Sequence, residues 1–256
     1  MKTKNKEYSI KDYVLEYMFI TRTGRLISFS YIVIGVFLLG GYQAINYNYG
    51  KLFETFLFAG VLAYGGVYAF NKYTDYTEDQ KVEYKSKKSK IFEIFSRDDT
   101  LVIAIVNMLL GSVLTHLFLP QIFVTTISLI TINIIYSIYL KKFNRLLAVL
   151  LISTTGPLKL LIGMQIIGGS LEPIIPILFT HFSLSLAVHI YKQQLKGYLT
   201  DQWYNRVQVV ILCLLLVFSL YIYTVLQNIV PLLFSIIGIS SWTIFRYTGF
   251  KKIFLH

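Results

Sequence analysis

The sequence predicts an all-α integral membrane protein, and three observations carry that prediction. Charge is scarce: only 14% of the 256 residues are charged and 55% are hydrophobic, where a soluble domain carries about 25% charged residues. The apolar residues gather in runs of bilayer-crossing length, which takes about 20 residues. The basic residues fall between those runs, and almost all lie on alternate sides of them. The net charge of +11 raises the question of nucleic acid. The charges sit in short clusters between apolar runs, as cytoplasmic loops of membrane proteins do, so a nucleic-acid partner is excluded. One cysteine, Cys213, rules out an internal disulfide and a cysteine metal site.

Eight runs are long enough to span, at about 27–46, 52–70, 101–119, 122–140, 146–166, 173–191, 207–225 and 228–245. The first follows a basic segment with Lys2, Lys4, Lys6, Lys11, Arg22 and Arg25, and no small-residue cleavage site follows a short apolar run, so no cleaved leader is expected. Pro120 separates the third and fourth runs, and Gly168, Gly169 and Pro173 separate the fifth and sixth. All eight are expected to be helices, because a backbone in hydrocarbon must satisfy its own hydrogen bonds and β-barrel alternation is absent. Of the 24 lysines and arginines, 22 fall in residues 1–26, 71–100, 141–145, 192–206 or 246–256. The exceptions are Lys51 and Lys159. That bias predicts an N-in/C-in bundle over 27–245. Residues 1–26, the loops 71–100, 141–145 and 192–206, and the tail 246–256 would be cytoplasmic.

The chemistry is expected on that face. The stretch NKYTDYTED, Asn71 to Asp79, closes the second run. If the helix continues through it, Asn71, Asp75 and Asp79 stack along one face. They would present a row of hard oxygen ligands suited to Mg²⁺, which takes one or two carboxylates together with substrate phosphate oxygens. Glu78 points off that face. On these nine residues alone, carboxylates merely solvated at a helix exit are the simpler reading.

The wider pattern favours the metal. Asn-x-x-x-Asp-x-x-x-Asp after the second span, ahead of a basic loop, resembles the first aspartate-rich motif of the UbiA family of intramembrane prenyltransferases. Lys72 stands where that motif usually has Asp. YSIYLKK, Tyr136 to Lys142, resembles the Tyr-x-x-x-x-Lys segment of family members that make ether lipids, and TTGPLK in the next span also fits. The resemblance implies a UbiA-like bundle, typically of nine spans, where eight are counted. It implies transfer of a prenyl group from a prenyl diphosphate donor to a hydrophobic or amphipathic acceptor within the lipid bilayer. The setting would be the cell membrane, with the active face cytoplasmic and Mg²⁺ as cofactor.

By the same resemblance, Asn71, Asp75 and Asp79 would be the catalytic and metal-binding residues. Lys141, Lys192, Lys196 and Arg25 would bind the diphosphate, and Tyr68 and Tyr136 would line the substrate pocket. The physics is coherent: ionising an allylic C–O bond leaves negative charge for metal and lysines, and positive charge for aromatic faces. The second acidic motif departs from the family. Its segment reads HIYKQQLKGYLTD; Lys192 matches, but Gln193 and Lys196 stand where aspartates are expected. Gln193 retains a carbonyl oxygen for a metal, and Lys196 offers a cation to phosphate.

Two other functions compete. A non-catalytic lipid-binding relative of the same fold would also fit the altered second motif. A small transporter would need polar span linings, and these spans are mostly apolar. Lys159 lies deep in a span, where pairing with Glu54 or Glu172, or snorkelling outward, is favoured over catalysis. His116 and His181 lack a metal-ligand companion at helical spacing and are expected to be buried and hydrogen-bonded.

Overall fold

A computed structural model describes residues 8–23, 27–80, 94–140, 143–168, 174–195, 201–227 and 229–247. Every regular element among the described residues is helical. The chain forms two compact units, one of residues 1–30 and 46–139, the other of residues 31–45 and 140–256.

In the first unit, α1 (Ile10–Ile20) opens on a capping box. Ser9 Oγ accepts from the Asp12 N–H while the Asp12 carboxylate accepts from the Ser9 N–H at 2.9 Å. Two polar contacts dock this helix. The buried Glu16 carboxylate accepts from the Phe95 N–H at 3.2 Å, and the Tyr17 hydroxyl accepts from Asn107 Nδ2 at 2.8 Å. Helix α3 (Tyr49–Thr55) runs through a π-helical stretch, Phe56–Tyr64, into α4 (Gly65–Gln80). Helix α5 (Arg97–Phe118) repeats the capping-box device with Ser96 and Asp99. A single residue, Leu119, separates it from α6 (Pro120–Ile135), which has proline in its first turn where the missing N–H is harmless. A second π stretch, Tyr136–Leu140, continues α6. Ile20, Ala69 and Ala104 form a core where α1, α4 and α5 meet.

The second unit contains most of α2 (Ile27–Tyr47), which kinks at Gly41, where φ is +65°. It also holds α7 (Arg145–Ser153), α8 (Thr155–Ile167), α9 (Ile174–Leu195), α10 (Asp201–Leu226) and α11 (Val230–Tyr247). The α7–α8 break falls at Thr154, just ahead of Pro157, whose ring cannot continue the ladder. Hydroxyls repair the turn: Ser153, Thr154 and Thr155 donate to the carbonyls of Val149, Leu151 and Ile152 at 2.6, 2.7 and 2.8 Å. Helices α2 and α8 approach so closely that a Cβ on Gly35 would strike the Leu160 carbonyl, and one on Gly163 the Ile32 carbonyl.

Five stretches among the described residues are long and apolar enough to cross a membrane: Tyr49–Tyr76, Arg97–Phe118, Pro120–Leu140, Arg145–Ile167 and Asn205–Thr224. They lie over five of the eight expected spans; the runs expected at 27–46, 173–191 and 228–245 are helical in α2, α9 and α11 and are not among these five. Two residues differ from expectation. His116 is exposed in the last turn of α5, edge-on to Phe123 at 4.8 Å, where the helix terminus favours a basic group. Lys159 does not snorkel; it is 9% exposed, inside the second unit. Glu172, one of its expected partners, lies outside the described residues.

The α2–α8 contact gives a direct test. Gly163→Ala should lower the thermal midpoint of the purified protein in detergent, because the added methyl meets backbone. Overpacking of this kind costs about 1–3 kcal/mol. Ala44→Gly, at a buried position of the same helix pair, should cost less.

Candidate functional site

Helix α4 does continue through the motif, to Gln80. Tyr64, Tyr68, Asn71 and Asp75 therefore fall at i, i+4, i+7 and i+11, on one helical face. The backbone puts Asp79 on the same row; its side chain lies outside the described residues. The π-helical stretch ends at Tyr64, so this face begins where the wide turns give way to regular helix. π segments inside α-helices occur often at functional sites.

Three elements meet this face. Ser137, buried in the second π stretch, donates its hydroxyl hydrogen to Asn71 Oδ1. The carbonyl has a second lone pair, so the bond orients Asn71 and leaves it an oxygen site. Tyr64 is buried, hydrogen-bonded with Tyr68 and Asn133, with its ring edge-on to Tyr68 at 4.8 Å and 75°. Arg22 lies 4.8 Å above the Tyr68 ring, within cation–π range. Tyr136, expected in the pocket, is half-buried and begins the π stretch whose next residue holds Asn71.

Arg22 reaches this position through an unusual helix end. The Arg22 N–H donates to the Phe19 carbonyl at 3.3 Å, and the Thr23 N–H to the Met18 carbonyl at 3.0 Å. This is the Schellman arrangement, which normally puts glycine at the left-handed position. Here that position is Arg22, with φ +51°. A left-handed non-glycine residue costs about 1–3 kcal/mol and persists where surrounding structure holds it. Arg97 serves the opposite side of α4, over Tyr73 at 4.5 Å and Tyr76 at 5.8 Å.

The first unit thus brings together Tyr68, Asn71 and Asp75 with Ser137, Tyr64, Asn133 and Arg22. Among the described residues no three His, Cys, Asp or Glu side chains form a metal cage. One carboxylate and one oriented amide oxygen fit Mg²⁺, which is held jointly by few protein ligands and substrate phosphates. In the second unit, Lys192 and Gln193 are half-buried in the last turn of α9. On α10, Gln208 is 1% exposed and its carboxamide has no hydrogen-bond partner among the described residues. Arg25, Lys141 and Lys196 lie outside the described residues.

The model of the UbiA prenyltransferase family matches residues 28–253, most of the chain. The chain belongs to the UbiA prenyltransferase family. No curated protein and no solved structure gives a significant match. As a UbiA member, the chain is a membrane protein of a family that transfers prenyl groups to acceptors in the membrane.

Sequence reasoning overlooked Arg22, Tyr64, Asn133 and Ser137. Ser137 and Tyr64 left a signal, next to Tyr136 and four residues before Tyr68; Arg22 left none, because only the docking of α1 brings it here. Removing the Ser137 hydroxyl should loosen Asn71. Ser137→Ala should lower stability by about 0.5–1.5 kcal/mol, the net worth of a hydrogen bond, read as a fall in thermal midpoint. Ser137→Thr should retain most of it.

Proposed function

We propose that this protein is a Mg²⁺-dependent prenyltransferase that takes a prenyl diphosphate at the α4 face of the first unit. The observation that carries the reading is the Tyr68–Asn71–Asp75 row, with Asn71 oriented by Ser137 and Arg22 above Tyr68. Asn71, Asp75 and Asp79 would hold the metal, Arg25 would bind the diphosphate and Tyr136 would line the pocket; for Gln193, Lys141, Lys192 and Lys196 the roles of metal and diphosphate ligand rest on the family resemblance of their sequence positions alone. When bound, the metal supplies charge to stabilise the leaving diphosphate. Arg22 adds a permanent cation beside the same row, and Tyr68 and Tyr64 present aromatic faces to an allylic cation. Eight spans in an N-in/C-in arrangement put this face in the cytoplasm, by the distribution of lysine and arginine.

A second reading, donor binding without transfer, is favoured by one observation. Gln193 and Lys196 replace the acids of the second motif, and the described end of α9 offers no carboxylate in their place.

The test is binding of radiolabelled geranylgeranyl diphosphate, with shorter and longer donors beside it, to the purified chain with and without Mg²⁺. Wild type should bind in a magnesium-dependent way, and Asp75→Asn should lose that dependence. Absence of magnesium-dependent binding for every donor would sink the proposal. Binding without diphosphate release, across acceptors, would select the second reading.

Arg22 gives a sharper prediction, because its strain and its charge separate. Arg22→Gly should leave the thermal midpoint unchanged or raise it, since glycine relieves the left-handed strain. Donor affinity should fall about tenfold, the 1.4 kcal/mol of one weakened charge contact.

A further inference from the structure

Helix α1 inverts the pattern of a water-facing helix. At a soluble surface a helix hides its apolar residues and shows its charges. In α1, Lys11 and Asp12 are exposed in the first turn, and beyond them the charge is what is hidden. Glu16 is 8% exposed, with its carboxylate on the Phe95 N–H. The half-buried Tyr17 turns its hydroxyl inward to Asn107. What α1 shows instead is Tyr13, Val14, Leu15, Met18 and Phe19, each between 40% and 53% exposed. Past its first turn, the exposed surface of the helix carries no charge and a single hydroxyl, that of Tyr13.

The neighbours of α1 within the first unit give its depth. Helix α5 is long and apolar enough to cross a membrane and begins at Arg97. Tyr13 stands edge-on to Phe95, just ahead of that start, with ring centroids 5.9 Å apart. Two turns further along α1, Ile20 packs on Ala104. Ala104 and Asn107 lie about 10 and 15 Å along α5 from Arg97, at 1.5 Å per residue. The α4 side agrees: Tyr68, beneath Arg22, lies about 12 Å inward of Tyr76, where that apolar stretch ends. Helix α1 therefore descends along the first half of α5. With 11 residues it is about 16 Å long, half of the roughly 30 Å hydrocarbon core. It is long enough to enter a bilayer and too short to cross one, and the chain turns back at Arg22, where φ is +51°.

We propose that α1 is a half-membrane helix whose outer face, Val14, Leu15, Met18 and Phe19, is covered by lipid acyl chains of the leaflet in which α5 begins. The distribution of lysine and arginine alone puts all of residues 1–26 in water; the depth of α1 moves its second half into hydrocarbon. Two observations make lipid the occupant. At the same depth α5 exposes Val102, Ile105, Val106 and Leu109, each between 45% and 63%, and one layer of acyl chains covers both helices. The exposed charges of α1 are confined to its upper end, at Lys11 and Asp12, and the sequence before it carries Lys2, Lys4 and Lys6. That order, basic residues and then an apolar face, matches head groups above acyl chains. A carboxylate in hydrocarbon is costly, which accounts for Glu16 being turned onto a backbone N–H. The chain leaves α1 at Arg22, so the lipid that presses α1 against α4 and α5 also backs the cation over Tyr68.

The experiment uses the full chain in phosphatidylcholine vesicles. Lys11→Cys, Val14→Cys and Phe19→Cys are made singly on a Cys213→Ala background and labelled with an environment-sensitive fluorophore. The quenchers are lipids brominated near the head group, lipids brominated at mid-chain, and iodide on both sides of the vesicle. The Phe19 label should lose more emission to mid-chain bromines, the Val14 label more to bromines near the head group, and the Lys11 label most to iodide. Thermal midpoints check that each variant folds, and Met18→Cys replaces Phe19→Cys if the latter does not. Iodide quenching at Val14 and Phe19 equal to that at Lys11 overturns the proposal. So does a label shielded from iodide yet untouched by brominated lipid, which is the result for a second copy or another protein on this face. No donor and no metal enters the measurement, so its outcome is separate from that of the donor-binding test.

Discussion

Every polar group inside an apolar medium needs a partner within the protein, and this requirement shapes the helices described above. Short side chains meet it locally. The hydroxyls of Ser112, Thr126, Ser183 and Ser219 each donate to the carbonyl four residues back, at 2.6 to 3.1 Å, and Asn133 does so through Nδ2 at 2.8 Å. Such bonds add nothing to a helix in water, where they compete with its own ladder. In an apolar surrounding they let serine and threonine occupy a buried face at little expense. The same device allows the turn at Thr154, where three consecutive hydroxyls take up carbonyls around a broken ladder. Ser219 also meets Ser235 across helices at 2.6 Å, so one hydroxyl serves both its own helix and its neighbour.

Where the ladder widens, side chains become available for other work. Both π stretches sit beside the candidate site, one delivering Tyr64 at its end and the other Tyr136 and Ser137 at its start. A wide turn rotates the face that follows it, so the row from Tyr64 to Asp75 is aimed by the backbone upstream. Ser137 then fixes Asn71 from the other helix. The aromatic rings carry a matching division: Tyr68 takes Arg22 on the motif face, and Tyr73 and Tyr76 take Arg97 on another, so two cations are held to different sides of one helix.

Much of this was legible in the sequence, and the limits have physical causes. The helical character followed from apolar runs and the rule of internal hydrogen bonding. The Asn71–Asp75 row followed from its spacing of four, because α4 obeys the ordinary helical period there. Irregular helix did not show: YSIYL has no glycine or proline, and the single glycine of FLFAGVLAY, Gly60, is tolerated in ordinary helices. Of the two expectations for Lys159, snorkelling gives way to burial, because the side chain lies on the helix face it shares with Gly156 inside the second unit. His116, expected buried for want of a metal-ligand companion within its span, falls in the final turn of α5 and is exposed. The left-handed Arg22 broke the usual rule that such helix ends carry glycine, and local propensity therefore pointed away from it.

The family match begins at residue 28, and the candidate site does not. Helix α1 is fastened to the first unit by Glu16 and Tyr17, and the chain it anchors swings Arg22 over Tyr68 just before the matched region starts. The matched boundary therefore cuts between the motif row and the cation that sits over it. A chimera that joined this bundle, at the matched boundary, to a leader with no basic residue at the place of Arg22 would keep the motif row and lose its cation. Such an exchange would change one charge at the motif face without touching any residue inside the matched region.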